Sequence, residues 1–259
     1  MGIYSEVAGE GPAVVLVHEG ICDSRMWDTQ WEPWSRSHRL LRVDLRGFGQ
    51  TPLEPGPFAH ARDLIEALEQ HEIERAALVG VSMGGRVALE VAVARPDLVS
   101  ALVLVAPGLP GHEWSDELRA EWAEEETAFE VGDLDAAVEV SLRTWVDGPR
   151  RRPEDVDADV RSRVAEMQRR AYELALGIEE DEEELLVEGL ADRLGEVGVP
   201  TLVVVGEEDQ PDMHAISERL AQEIPNARLA KIPATAHVPS IERPQEFDEL
   251  VVPFLRETA

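Results

Sequence analysis

One serine constrains this chain more than any other residue. In Gly80-Val81-Ser82-Met83-Gly84-Gly85 it stands in a G-x-S-x-G spacing. The run Ala76–Val81 that contains the start of the motif is short and apolar, as a buried strand is. Residues 83–95 place apolar side chains at 83, 87, 91 and 94, as a helix does, before Pro96 stops it. A chain that turns from strand to helix this tightly holds the apex residue in a strained conformation, and neighbouring side chains would collide there. Gly80 and Gly84 remove those side chains. The Ser82 hydroxyl is thereby presented at a helix N-terminus, where the Met83 backbone N–H and the helix dipole favour developing negative charge. Ser82 is the candidate nucleophile and Met83 one candidate oxyanion donor. The bland alternative, a glycine-rich turn with an incidental serine, would not require a strand and a helix on its two flanks.

The rest of the chain repeats the same alternation. Ala13–Val17, 40–44, Ala76–Val81, 101–106, 201–205 and 228–232 are near-continuous apolar runs, the pattern of strands buried on both faces. Between them, 25–37, 59–71, 83–95, 215–223 and 244–256 have helical length and spacing. Strand and helix in alternation predict an α/β fold, a mostly parallel sheet with helices on both faces. The alternation breaks over 111–193, which is helical in pattern and rich in glutamate. This segment is expected to be a helical lid inserted in a core made of 1–110 and 194–259. The acidic run 179–184 within it is expected to be a solvated helix face or start.

A serine hydroxyl is a weak nucleophile until a base takes its proton. His237 is the candidate base, in a loop after the last strand-like run. His38, His60, His71, His112 and His214 flank predicted strands and helices or open the lid. The base needs a carboxylate to orient it. Asp209 follows the run 201–205, at a strand C-terminus, where parallel sheets present their sites. Glu207, Glu208 and Asp212 are its rivals. A second oxyanion donor is expected from the loop after Ala13–Val17, with Gly20 supplying the N–H and His18 bracing the loop. Glu19 would oppose a developing anion there and is expected to point away. Ile21, Trp122, Trp145 and Val238 are candidate pocket residues, with Met167 and Tyr172 as further possible walls.

With these residues in place, the chain resembles the lid-bearing α/β-hydrolase superfamily of serine esterases, enol-lactonases and non-haem haloperoxidases. The resemblance rests on His18-Glu19-Gly20 with Arg25-Met26-Trp27, on Asp44-Leu45-Arg46-Gly47-Phe48-Gly49, on the elbow, on 206–209 and on 237–244. The order Ser82, Asp209, His237 is that of the superfamily's triad. It implies the α/β-hydrolase fold and an acyl-enzyme mechanism. Three departures stand out. This chain has His18-Glu19 where relatives have His-Gly, and Ala236 where many have glycine before the histidine. Relatives also begin with one more strand, so the sheet is expected to be short by its first. Serine at the nucleophile position argues against the dehalogenases and epoxide hydrolases of the superfamily, which use aspartate.

Composition narrows the function further. The net charge is −29, from 53 acidic and 24 basic residues, and Lys231 is the one lysine. Such a surface repels phosphate backbones and anionic lipid, so neither nucleic acid nor membrane is an expected partner. Genome composition accounts for arginine in place of lysine; adaptation to salt is the other reading of the acidity. A single cysteine, Cys22, cannot form an internal disulfide, and the first residues lack the pattern of a signal peptide, which together suggest a cytoplasmic protein. No metal-ligand spacing occurs, no Lys-Ser/Thr follows the elbow glycines as in a P-loop, and Ser-His-Asp chemistry requires no cofactor. The expected activity is hydrolysis of a small, neutral carboxylic ester or lactone. Hydrolysis of a carbon–carbon bond, or a receptor role on the same fold, would use the same residues. Residues 113–192 carry 26 acids and nine arginines, so a carboxylate substrate would approach through a negative field.

Overall fold

The computed structural model describes residues 2–178 and 181–258. Its strands are β1 (Tyr4–Ala8), β2 (Ala13–Val17), β3 (Arg39–Asp44), β4 (Gly56–Phe58), β5 (Ala76–Val81), β6 (Val99–Val105), β7 (Asp181–Glu183), β8 (Thr201–Gly206) and β9 (Ala227–Ile232). Its helices are α1 (Asp28–Ser35), α2 (His60–Gln70), α3 (Met83–Ala94), α4 (Asp116–Glu130), α5 (Leu134–Ser141), α6 (Ala158–Ala175), α7 (Pro211–Glu223), α8 (Pro239–Glu242) and α9 (Pro244–Thr258). Seven strands form one sheet in the order β1-β3-β2-β5-β6-β8-β9. β1 runs antiparallel to β3, and every other pairing is parallel.

The apolar runs are buried because alternate residues serve two cores. On one face Val15, Val17, Leu78, Leu104 and Val203 pack with α2, α3 and α7, through residues such as Leu64, Val87 and Ile216. On the other, Val14, Leu16, Val79, Val103 and Val204 pack with α1 and α9, through Trp34, Phe247 and Val251. Each large apolar side chain buried this way contributes about 1.5–3 kcal/mol. Strands covered on both faces have no solvent side to mark with polar residues, and so read as unbroken apolar runs.

The structure departs from the sequence pattern in several places. β1 lies ahead of the first expected strand, so the sheet is not short at that edge; Arg42 on β3 ties to it through Glu6. The helix expected over 25–37 is a tight turn, Ser24–Trp27, capped by Asp23, followed by α1. The helix expected from 215 begins at Pro211, a residue suited to a first helical turn. The segment between β6 and β8 is not wholly helical. After α4, α5 and α6 it returns as β7, which pairs in parallel with β4 as a separate two-stranded sheet. The helix expected over 179–184 is therefore corrected for 181–183, which are strand; 179 and 180 lie outside the described residues. Of these acids Glu183 meets the Arg86 guanidinium at 2.5 Å, and the same guanidinium meets Glu90 of α3 at 2.6 Å. No helix among the described residues is long and apolar enough to cross a membrane.

Candidate active site

Four loops meet at the C-terminal edge of the parallel strands. They follow β2, β5, β8 and β9, and each brings one part of the site. At the end of β5 the chain reverses at Ser82, which has φ 51° and ψ −113°, a conformation that costs a residue with a side chain of order 1–3 kcal/mol. The neighbours over-determine it. A Cβ on Gly80 would sit 2.2 Å from the Gly84 carbonyl oxygen, and one on Gly84 2.4 Å from the His18 carbonyl oxygen. Ser82 N–H donates to Val105 O at 2.8 Å, and Gly108 N–H donates to Ser82 O at 3.0 Å. Met83 opens α3, so its N–H is one the helix itself leaves without a partner.

His237 is 2% exposed, in the loop between β9 and α8. Its Nδ1 lies 2.9 Å from Asp209 Oδ2, and Asp209 is 1% exposed. The loops carrying the two are pressed together at Gly206, where a Cβ would meet the Ala236 carbonyl oxygen at 2.1 Å. Asp209 Oδ1 accepts from Gln210 N–H at 2.8 Å, and the Gln210 side chain donates to Thr144 O at 2.7 Å. The rival acids are engaged elsewhere. Glu207 is exposed, Glu208 pairs with Arg150 at 2.9 Å, and Asp212 accepts from the Ser115 hydroxyl at 2.7 Å.

A π-helical turn, Leu142–Asp147, positions the other wall. It brings the Trp145 carbonyl to the His237 N–H, 3.2 Å, and sets the two rings 4.5 Å apart. Arg151 holds this turn against the histidine loop. It donates to Val146 O at 2.6 Å and to Ala234 O at 3.2 Å, and pairs with half-buried Glu242, which also accepts from Thr235 at 2.9 Å.

His18 does brace its loop. Leu45 N–H donates to Nε2 at 2.9 Å, which leaves Nδ1 to carry the hydrogen donated to Glu19 O at 2.7 Å. Burial lowers the His18 pKa, in keeping with a neutral ring. Gly20 lies beyond it, half-buried on the cavity lined by Ser82 and His237.

Glu19 corrects the expectation made for it. It does not point away. It is 1% exposed, with Oε2 at 3.7 Å from His237 Nε2 and Oε1 accepting from Cys22 Sγ at 3.2 Å. Among the described residues Oε2 has no hydrogen-bond partner. Burial raises the Glu19 pKa to about 7, against the opposing pull of His237. Burial would lower that of His237, but the negative charges of Asp209 and Glu19 raise it. The imidazole thus has a carboxylate on each side.

The cavity holding Ser82 and His237 has a volume of about 190 Å³. Ile21, Trp122 and Trp145 line it, as do Glu19, Glu125 and Gln168, none of which stood out in the sequence as a wall. Val238 does not line it; the side chain is fully buried in the core below, among residues such as Met26 and Phe247. Met167 is likewise core, and Tyr172 is held behind the wall by Ser141 and Glu125. A second hollow, about 280 Å³, shares Ser82, Trp122 and Trp145 with this cavity and is lined further by Met83, Arg86, Trp114 and Met213. Larger clefts of about 470 and 810 Å³ lie away from the serine, among charged residues of α6 such as Glu166 and Arg169.

A parallel sheet with a serine elbow, a buried His–Asp pair and a glycine loop at one edge defines a fold class shared with many known proteins. Residues 14–250 match the model of the alpha/beta hydrolase family, and the chain belongs to that family. It is an α/β hydrolase by fold and by descent. It is 29% identical to a protein of Bacillus subtilis (strain 168) provisionally named as a 2-succinyl-6-hydroxy-2,4-cyclohexadiene-1-carboxylate synthase, over 98% of this chain and 95% of that one. It is 28% identical to a pimeloyl-[acyl-carrier protein] methyl ester esterase of Aeromonas salmonicida (strain A449), over 97% and 98%. Among solved structures, a thermophilic esterase from Thermogutta terrifontis superposes with a TM-score of 0.79 at 25% identity, covering 99% of this chain and 93% of that one.

Proposed function

We propose that the protein hydrolyses a small carboxylic ester or lactone lacking a free carboxylate, through an acyl-enzyme on Ser82. The observation that carries this reading is the meeting, in one cavity, of a serine on a strained elbow with a histidine whose far nitrogen is held by a buried aspartate. In this reading Ser82 Oγ attacks the carbonyl carbon while its proton passes to His237 Nε2. Asp209 fixes the tautomer and stabilises the imidazolium. The Gly20 and Met83 N–H groups hold the oxyanion. The tetrahedral adduct collapses, the C–O bond to the leaving alcohol breaks, and His237 returns the proton to that oxygen. Water then attacks the acyl-enzyme by the same path, releasing the acid and Ser82. No cofactor is needed.

Residues 111–193 act as the lid of this reading, over a core of 1–110 and 194–259. Trp122, Glu125, Trp145 and Gln168 in the cavity wall all come from that segment. The acidic surface suits a small-molecule enzyme of the cytoplasm better than a partner of nucleic acid or membrane. The test is turnover of p-nitrophenyl esters of increasing acyl length and of simple lactones, beside Ser82→Ala. Wild type should hydrolyse at least the short esters. A Ser82→Ala protein that keeps more than about a hundredth of the wild-type kcat would refute the nucleophile, since loss of such a residue costs far more.

A further inference from the structure

The cavity over Ser82 has an unusual polarity. Three residues that carry acceptor groups line it from three elements. Glu19 Oε2, from the loop after β2 and with His237 Nε2 3.7 Å away, is buried and has no hydrogen-bond partner among the described residues. Gln168 Oε1, from α6, is in the same condition at 4% exposure. Glu125, from α4, takes one hydrogen bond from the Tyr172 hydroxyl, 2.5 Å, and burial raises its pKa. Of the donors on this wall, the Gly20 N–H is given to the oxyanion and the Ser82 hydroxyl to His237. No arginine and no lysine lines this cavity among the described residues. Arg143 is drawn to Glu121 and Glu124, and Arg86, which lines the adjoining hollow on Ser82, is paired with Glu90 and Glu183.

We propose that this cavity receives a substrate bearing an ammonium group, held by the Glu19 and Glu125 carboxylates beside the Trp122 and Trp145 rings. A buried oxygen without a donor is costly, and a ligand that brings N–H groups removes that cost. An ammonium brings up to three such donors and the charge that two carboxylates select. The indole faces add attraction that a neutral group of the same shape would not receive. Trp122 and Trp145 stand with ring centroids 6.5 Å apart, at 35°. A free carboxylate on the substrate meets like charge instead. The volume, about 190 Å³, limits the ligand to a short chain.

The inference also gives Glu19 a part in turnover. Its carboxylate sits 3.7 Å from His237 Nε2, where it favours the imidazolium that cannot accept the serine proton. An ammonium seated on Glu19 neutralises that charge and frees the histidine to act as base. The proposal rests on the hydrolase reading for the reaction, but the binding step does not.

The test uses n-butylammonium, 1-butanol and butyrate as probes of the Ser82→Ala protein, read by quenching of tryptophan fluorescence. At about pH 8 and about 0.15 M salt Glu19 is ionised and long-range surface fields are screened. n-Butylammonium should bind saturably and about tenfold or more tighter than 1-butanol, and butyrate should not compete. Adding Glu19→Gln or Glu125→Gln should weaken n-butylammonium about tenfold while leaving 1-butanol unchanged, which shows that the pocket is intact. Equal affinity for the amine and the alcohol overturns the proposal. So does amine binding that survives both substitutions, which marks association with the acidic surface. Hydrolysis of p-nitrophenyl acetate by the wild-type protein, measured separately, bears on the serine alone; its absence would strike the hydrolase reading and leave the ammonium result standing.

Discussion

Glu19→Gln isolates the most unusual charge in the site, and its effect on the pH profile can be worked from the geometry. In the proposed mechanism the base must be neutral to accept the serine proton, so kcat/KM for a neutral ester should rise with pH as His237 loses its proton. Asp209 and Glu19 both raise the pKa of His237. Two unit charges about 4 Å apart interact by about 1 kcal/mol in water and about 4 kcal/mol at an effective dielectric of about 20. Glu19 Oε2 stands 3.7 Å from Nε2, in a site that opens on solvent through a cavity, so the lower half of that range applies. Removing the charge should lower the acid limb of the profile by about one pH unit, at about 1.4 kcal/mol per unit. Glutamine keeps the shape and can still accept from Cys22. Because the pair titrates together, the limb belongs to both groups and is read as one macroscopic value. The assay is kcat/KM for p-nitrophenyl acetate over pH 5–9 for both proteins, with Glu207→Gln as the exposed control. A limb that moves by less than about 0.3 unit, or moves upward, refutes the reasoning, because either outcome means that Glu19 carries no charge toward His237 in the titrating range.

The remaining predictions concern stability, the orienting acid, the substrate and the clamp on the histidine loop. Glu19 has a pKa raised from 4.5 to about 7 in the folded chain, so the fold holds a proton there that the unfolded chain has lost. Stability from this group is full below about pH 4.5 and falls as pH rises to about 7, so Glu19→Gln should gain on the order of 3 kcal/mol over wild type at pH 8 and nothing at pH 4; urea melts at both values decide it. Asp209→Asn should cost about four orders of magnitude in kcat, while Glu207→Gln, Glu208→Gln and Asp212→Asn each cost less than about tenfold; a dead variant among those three contradicts the assignment. A neutral ester should exceed its ω-carboxylate analogue in kcat/KM by about tenfold or more at low salt, with added salt narrowing the gap, and a preferred carboxylate would reverse the reading of the acidic wall. Arg151→Met leaves Glu242, half-buried, with only the Thr235 hydroxyl and should cost about 2–3 kcal/mol in unfolding free energy, where a loss under about 1 kcal/mol would mean the pair is replaceable.

The parts of the molecule legible in the sequence are those whose physics is local. The elbow is a five-residue problem in backbone sterics, so its glycines announce it. β5, β6 and β8 are buried on both faces, and their valine and leucine runs say so. Asp209 and His237 follow from position, since strand ends on a parallel sheet share an edge. What was not legible depends on partners distant in the chain. β1 reads Tyr4-Ser5-Glu6-Val7-Ala8, half-buried at a sheet edge, without the run of apolar residues that marks the inner strands. β4 and β7 have three residues each and are defined by each other, too short for any period. Glu19 turns inward because His18 is pinned to Leu45, 27 positions away, which fixes the path of the loop. Chemical intuition about the oxyanion argued the other way, and burial with a raised pKa is how the fold accommodates the acid. Glu125 and Gln168 are polar positions on helices crowded with charge, where nothing separates the one facing the cavity from those facing water. Val238 adjoins His237 in sequence, but the chain turns it beneath the site instead of over it.

The central claim is that Ser82 is a nucleophile activated by His237, and covalent capture tests it without knowledge of the substrate. The protein is treated with a fluorophosphonate, digested, and mapped by mass spectrometry, beside Ser82→Ala and His237→Ala. The account predicts a single phosphonylated residue, Ser82, with labelling abolished in the first variant and slowed about a thousandfold or more in the second. Absence of label on native protein, or label on another serine, would contradict it.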